Sequence, residues 1–93
     1  MKEFKSKTIT LNKKLSINEV LSIHLYEKIY SGNIYLLHNH ELINTKHLPD
    51  LVTFSLLVEE ETEIKCVVEG PNPEEALEEV ASRMQTTVLD QAL

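Results

Sequence analysis

Leu15-Ser16-Ile17-Asn18-Glu19 is the stretch from which this chain is best read. An alternating, strand-like run precedes it and a helical apolar period follows it, so it forms a strand-to-helix junction. Ser16-x-x-Glu19 has the spacing of a capping box. The serine hydroxyl accepts from the Glu19 N–H, and the Glu19 carboxylate reaches back to the Ser16 N–H. A helix N-terminus is by default an anion site, with unpaired N–H groups and the positive end of the helix dipole. Here the chain is expected to fill that site with its own carboxylate.

Upstream, Lys5 to Leu11 alternates, with Lys5, Lys7, Ile9 and Leu11 on one side and Ser6, Thr8 and Thr10 on the other. The β-branched centre predicts a first strand. Downstream, Val20, Leu21, Ile23, Leu25, Tyr26, Ile29 and Tyr30 recur at three- and four-residue spacings, predicting a helix from Ile17 to Tyr30 with one broad apolar stripe. Gly32 suits the C′ position after it. Ile34 to His38 and Glu41 to Thr45 read as a hairpin around Asn39-His40, where Asn tolerates positive φ and His is a poorer choice than Gly. Pro49 opens a short helix, with Leu51 and Phe54 expected in the core and Leu48 and Val52 sharing another face. Glu61 to Glu69 alternates with Ile64, Cys66 and Val68 inward. Asn72, Pro73, Glu74 and Glu75 open a last helix as N-cap, N1 and dipole-facing acids. Its stripe runs through Ala76, Leu77, Val80, Ala81, Met84, Val88 and Leu89, and Asp90 to Leu93 is expected to fray. The order β-α-β-β-α-β-α predicts an α+β domain: a four-stranded, mainly antiparallel sheet with two long helices and one short helix on one face.

The chain has 93 residues, which fits one domain over 1–93 with a core from about 5 to 85. Its net charge of −6, from 15 acidic and 9 basic residues, argues against nucleic-acid and anionic-membrane binding. The single cysteine, Cys66, excludes an internal disulfide and fits a reducing compartment. No apolar run approaches the ~20 residues that span a bilayer. With no apolar stretch behind Met1-Lys2-Glu3-Phe4-Lys5, the expectation is a cytoplasmic protein.

Motifs for chemistry are scarce. Gly32 and Gly70 are the only glycines, too few for a phosphate-cradling loop. His38-x-His40 and nearby His47 have no cysteine or carboxylate at ligand spacing, so no metal site and no cofactor are expected. His24 reads as a satisfied, half-buried histidine and Cys66 as a small core residue. Ser16 has no base partner identifiable in the sequence, so Ser–His nucleophilic catalysis has no support.

The element order and several strings resemble the HPr family of phosphocarrier proteins of the sugar phosphotransferase system. The resemblance runs from about Lys7 to Met84. Its carriers are Thr8-Ile9-Thr10, Asn33-Ile34-Tyr35-Leu36, Asn39, Asn44, Lys46, Leu48, Leu51, Thr53, Phe54, Glu69-Gly70 and Pro73-Glu74-Glu75-Ala76-Leu77. About two residues are extra between Leu57 and Glu61. The resemblance implies an HPr-like open-faced β-sandwich.

It also implies where function would lie, and there the chain departs. The family's active turn, glycine-x-histidine-x-arginine-proline, falls on Lys14 to Glu19. The phosphoacceptor position is Ser16, with Asn18 and Glu19 at the arginine and proline positions. The regulatory serine of many members falls on His47. The family's docking surface falls on Ser16, Ile17, Leu21, Leu48, Pro49 and Val52.

The leading expectation is a non-enzymatic, regulatory or protein-binding member that has lost phosphohistidine carriage. Its partners would be phosphotransferase-system or transcription-regulatory proteins. A phosphocarrier or phosphoacceptor using Ser16 or a non-standard histidine is the second reading. A self-associating structural domain using the apolar face of the second helix is the third. The expected state is a monomer or weak homodimer.

Overall fold

A computed structural model describes residues 3–84. Val88, Leu89 and the expected fray from Asp90 to Leu93 lie outside the described residues. The chain runs β1 (Phe4–Thr10), α1 (Ile17–Ile29), β2 (Asn33–His38), β3 (Glu41–Asn44), α2 (Leu48–Leu57), β4 (Glu63–Glu69) and α3 (Pro73–Met84). This is the element order predicted. The strands form one sheet in the order β1-β4-β2-β3, and every neighbouring pair is antiparallel.

β4 is the spine of the sheet. It pairs with β1 on one side, Ile64 opposite Ile9, and with β2 on the other, Cys66 opposite Leu36 and Val68 opposite Ile34. Strand alternation puts these six side chains on one face, where all are buried. Ser6, Thr8 and Thr10 face the other way and are exposed. The helices close the core from the buried side, contributing Val20 and Ile23 (α1), Leu51 and Phe54 (α2), and Ala76, Leu77, Val80, Ala81 and Met84 (α3). Lys5 shares the face of Ile9 at the sheet edge, and its ammonium reaches Glu74 of α3 at 3.4 Å. Arg83 ties α3 to α1: it donates to the Ser22 carbonyl at 2.8 Å, pairs with Glu79 at 2.9 Å, and lies 5.1 Å over the Tyr26 ring.

The hairpin turn takes the shape the sequence suggested. Asn39 and His40 have φ of 51° and 67°, both left-handed, as a type I′ turn requires. Thr45 extends β3, giving its N–H and its hydroxyl to the Ile34 carbonyl. β4 begins at Glu63 rather than Glu61, because Glu61 takes φ 61° in the preceding turn. Asn72 also has positive φ (47°), and its carbonyl accepts the opening bond of α3 from Ala76.

Two expectations about α1 are corrected. The helix ends at Ile29, and Tyr30 caps it in extended conformation (φ −82°, ψ 137°), so Gly32 is not a left-handed C′ residue. Gly32 is required by crowding. A Cβ there would overlap the Glu69 carbonyl oxygen and come within 2.9 Å of the Gly70 Cα. In this corner α1 hands over to β2 beside the end of β4, and the Tyr30 hydroxyl donates to the Pro71 carbonyl at 2.6 Å. The second correction concerns the stripe. Val20 and Ile23 are buried, whereas Leu21, Leu25 and Ile29 are exposed on the opposite side.

Burial pushes the Cys66 thiol up from 9.0 to about 12. Folded and unfolded chains both hold the proton below pH 9.0. Above it the unfolded thiol ionises first, so this contribution to stability is lost as pH rises from 9.0 toward about 12. Wild type is expected to lose more of its urea midpoint than Cys66→Ala between about pH 8 and about pH 10.5. An equal loss in both would contradict the assignment. Gly32→Ala is expected to cost about 1–3 kcal/mol through overpacking, read as a lower urea midpoint at unchanged slope.

Candidate functional site

The junction from Lys14 to Glu19 is built from both sides. Leu15 is anchored in the core, and Lys14 donates to the Leu56 carbonyl at the end of α2 at 2.9 Å. Ser16 is the N-cap of α1, with extended backbone (φ −88°, ψ 165°). Its hydroxyl accepts from the Glu19 N–H at 3.1 Å, and its own N–H donates to Glu19 Oε1 at 2.8 Å. The Val20 N–H is taken by the Ser16 carbonyl at 3.0 Å. The reciprocal box expected from Ser16-x-x-Glu19 is therefore formed. Glu19 is buried while Ser16, Ile17 and Asn18 are exposed. A buried carboxylate next to the helix dipole supplies the negative charge that a bound anion would otherwise bring.

The histidines have other surroundings. His24 of α1 places Nδ1 3.2 Å from the Thr45 carbonyl, the satisfied, half-buried state anticipated. His38 at the end of β2 turns toward α2 and meets Phe54 edge-on, with ring centroids 6.1 Å apart. His40 sits in the hairpin turn. His47 precedes α2 and contacts Asp50 at 3.0 Å through Nδ1. Both members of that pair are exposed, so it contributes little to stability. Among the described residues, no three His, Cys, Asp or Glu side chains converge as metal ligands.

The six residues singled out for docking lie at the N-cap of α1 (Ser16), on α1 (Ile17, Leu21) and on α2 (Leu48, Pro49, Val52). α1 packs against α2. Ser16, Ile17, Leu21 and Pro49 are exposed, and Leu48 and Val52 are half-buried against the core. Sequence reasoning missed three features. Leu25 and Ile29 extend the exposed apolar side of α1 beyond Leu21. Glu27 is buried, with Oε2 lacking a hydrogen-bond partner and Lys46 3.9 Å away, too far for a direct hydrogen bond. A cleft of about 340 Å³ opens between α2 and the hairpin, lined by His38, Glu41, Ile43, Phe54, Leu57 and Val58 among others. The first of these had a signal in the sequence. Residues 17, 21, 25 and 29 repeat at four, and one helix cannot turn this row and the row of Val20 and Ile23 to the same sheet.

Tyr26 and Tyr30 ionise above the usual phenol range, chiefly through burial. For Tyr26, nearby Glu79 and Glu75 add to the effect and Arg83 opposes it.

No family model and no curated protein sequence matches this chain. Solved structures do. The phosphocarrier protein HPr of Bacillus anthracis str. Ames superposes with a TM-score of 0.70 at 20% identity, covering 90% of this chain and 98% of its own. The chain has the HPr fold. A Mycoplasma histidine-containing phosphocarrier protein gives 0.69 at 20% identity, covering 88% and 91%. HPr-C-His from Thermoanaerobacter tengcongensis gives 0.68 at 17%, covering 96% and 99%. The first two of these neighbours are phosphocarrier proteins. Among the described residues, no helix is long and apolar enough to cross a membrane.

The cap is testable by stability. Ser16→Ala is expected to cost about 1 kcal/mol, the usual loss for a serine N-cap. Glu19→Ala is expected to cost a comparable amount, because it strands the Ser16 N–H. The double variant should lose less than the sum, since the two residues form one box. Urea unfolding of the three variants measures all of this.

Proposed function

We propose that this HPr-like chain has lost phosphohistidine carriage and acts, without enzymatic activity of its own, as a regulatory, protein-binding module. The observation that carries the proposal is the reciprocal hydrogen bonding of Ser16 and Glu19 at the start of α1. Carriage needs an imidazole nitrogen that gains and loses phosphate at similar free energy. A serine phosphate ester is too stable to pass its group on. A phosphate on Ser16 would also disrupt the hydroxyl's bond to the Glu19 N–H and set about two negative charges beside a carboxylate.

The partner-binding face in this reading is Ser16, Ile17, Leu21, Leu48, Pro49 and Val52. It is supported by the exposure of Ile17 and Leu21 beside α2, where a partner could bury apolar side chains. The partners would be proteins of the phosphotransferase system or of transcriptional regulation, met in the cytoplasm.

The test is incubation with phosphoenolpyruvate and the general phosphotransferase enzyme, followed by intact mass. The expected result is an unmodified chain under conditions that phosphorylate an authentic HPr. An acid-labile phosphate adduct would overturn the proposal, and an acid-stable adduct on Ser16 would favour a phosphoacceptor role instead. Capture of partners from extract is expected to fall with Leu48→Asp.

A further inference from the structure

The cleft between α2 and the hairpin is assembled from two periodic rows. On the hairpin, His38 is paired opposite Glu41, so the two stand side by side, and Ile43 follows Glu41 on the same face. This is the face that buries Ile34 and Leu36 further along β2. On α2, Asp50, Thr53, Phe54 and Leu57 line the cleft at spacings that put them on one side of the helix. Leu48, Pro49 and Val52 do not line it, so it is apart from the partner-binding face proposed above.

Its residues fall into an apolar and an acidic group. Phe54 and Val58 are buried and Ile43 is half-buried. The His38 ring meets Phe54 edge-on, which leaves an aromatic surface for a further ring to pack on. Leu57 is 66% exposed, a large apolar side chain standing in water beside the opening. Glu41 and Asp50 are both exposed, and no lysine or arginine lines the cleft. Asp50 already meets His47 at 3.0 Å through Oδ2, but a carboxylate accepts more than one hydrogen bond.

We propose that this cleft binds a small arylalkylammonium ion, its ammonium beside Glu41 and Asp50 and its ring against Ile43, Phe54 and Leu57. Size and charge select this occupant. At about 340 Å³ the cleft is at the small end of the range for small-molecule sites, roughly 300–1,000 Å³. At about 30 Å³ per water-sized unit it holds about ten heavy atoms, a single ring with a short tail. An anion would face two carboxylates with no lysine or arginine to offset them. A bare metal ion would leave Leu57 in water, and among the described residues no three ligating side chains converge. An organic cation uses both groups, and the net charge of −6 draws it in. The inference does not rest on the loss of phosphate carriage.

Titration of the full chain with phenethylammonium chloride to about 20 mM, against sodium chloride at matched ionic strength, tests the inference. The expected result is saturable amide shifts at Glu41, Ile43, Thr53 and Leu57, with a dissociation constant on the order of 1 mM for so small a ligand. Phenethyl alcohol, its neutral counterpart, should bind more weakly, and phenylacetate should not saturate. Glu41→Gln and Asp50→Asn should each weaken the ammonium by about two- to fivefold, the range of an exposed ion pair. Glu78→Gln removes the same charge from an exposed position on α3 outside the cleft and should leave binding unchanged. No saturation at the four amides by the top of the range overturns the proposal. So does equal binding of the alcohol and the ammonium, or a loss in Glu78→Gln as large as in Glu41→Gln.

Discussion

Two short hydrogen bonds between Ser16 and Glu19 decide the character of this molecule. They fix the angle at which the chain leaves the core at Leu15 and re-enters it at Val20. They also satisfy donors at the start of α1 that would otherwise seek water or an anion. Because the acceptor is a buried carboxylate, the turn already has its negative charge. A phosphate arriving here would displace an existing partner and face like charge, where an ordinary helix N-terminus would attract it. In the function proposed above, the bonds that start the helix are also what would keep phosphate away from this turn.

The second constraint is that α1 must serve two environments. Its inner side supplies Val20 and Ile23 to the core, and its C-terminal half carries Glu27 inside with one oxygen unpaired. Its outer side carries the exposed apolar row of Ile17, Leu21, Leu25 and Ile29. Both carboxylates of the helix are spent inward, which leaves the outward side without negative charge in an otherwise acidic chain.

Much of the fold was legible in the sequence because its signals were local and redundant. Ile64, Cys66 and Val68 alternate cleanly and are buried together on the central strand. Pro73, Glu74 and Glu75 announce α3, and Asn39 marks the hairpin turn. The Ser16-x-x-Glu19 box was readable to the level of individual hydrogen bonds, since a capping box is a short-range device. What could not be read depended on where one element lies against another. The apolar residues of α1 gave a single broad stripe by spacing, and only packing on the sheet divides them into a buried and an exposed row. Gly32 looked like a helix-ending residue, yet its requirement comes from Glu69 and Gly70, remote in sequence. The turn of His38 beneath α2 toward Phe54 likewise arises from tertiary placement.

Phosphate affinity at the α1 N-terminus tests the central claim most directly. Amide chemical shifts of Ser16, Ile17, Asn18 and Glu19 can be followed while inorganic phosphate is added to tens of millimolar against chloride at matched ionic strength. The account predicts no saturable change at these four amides. Saturable shifts centred on them would show that the cap yields to phosphate, and would contradict the claim that Glu19 occupies the site.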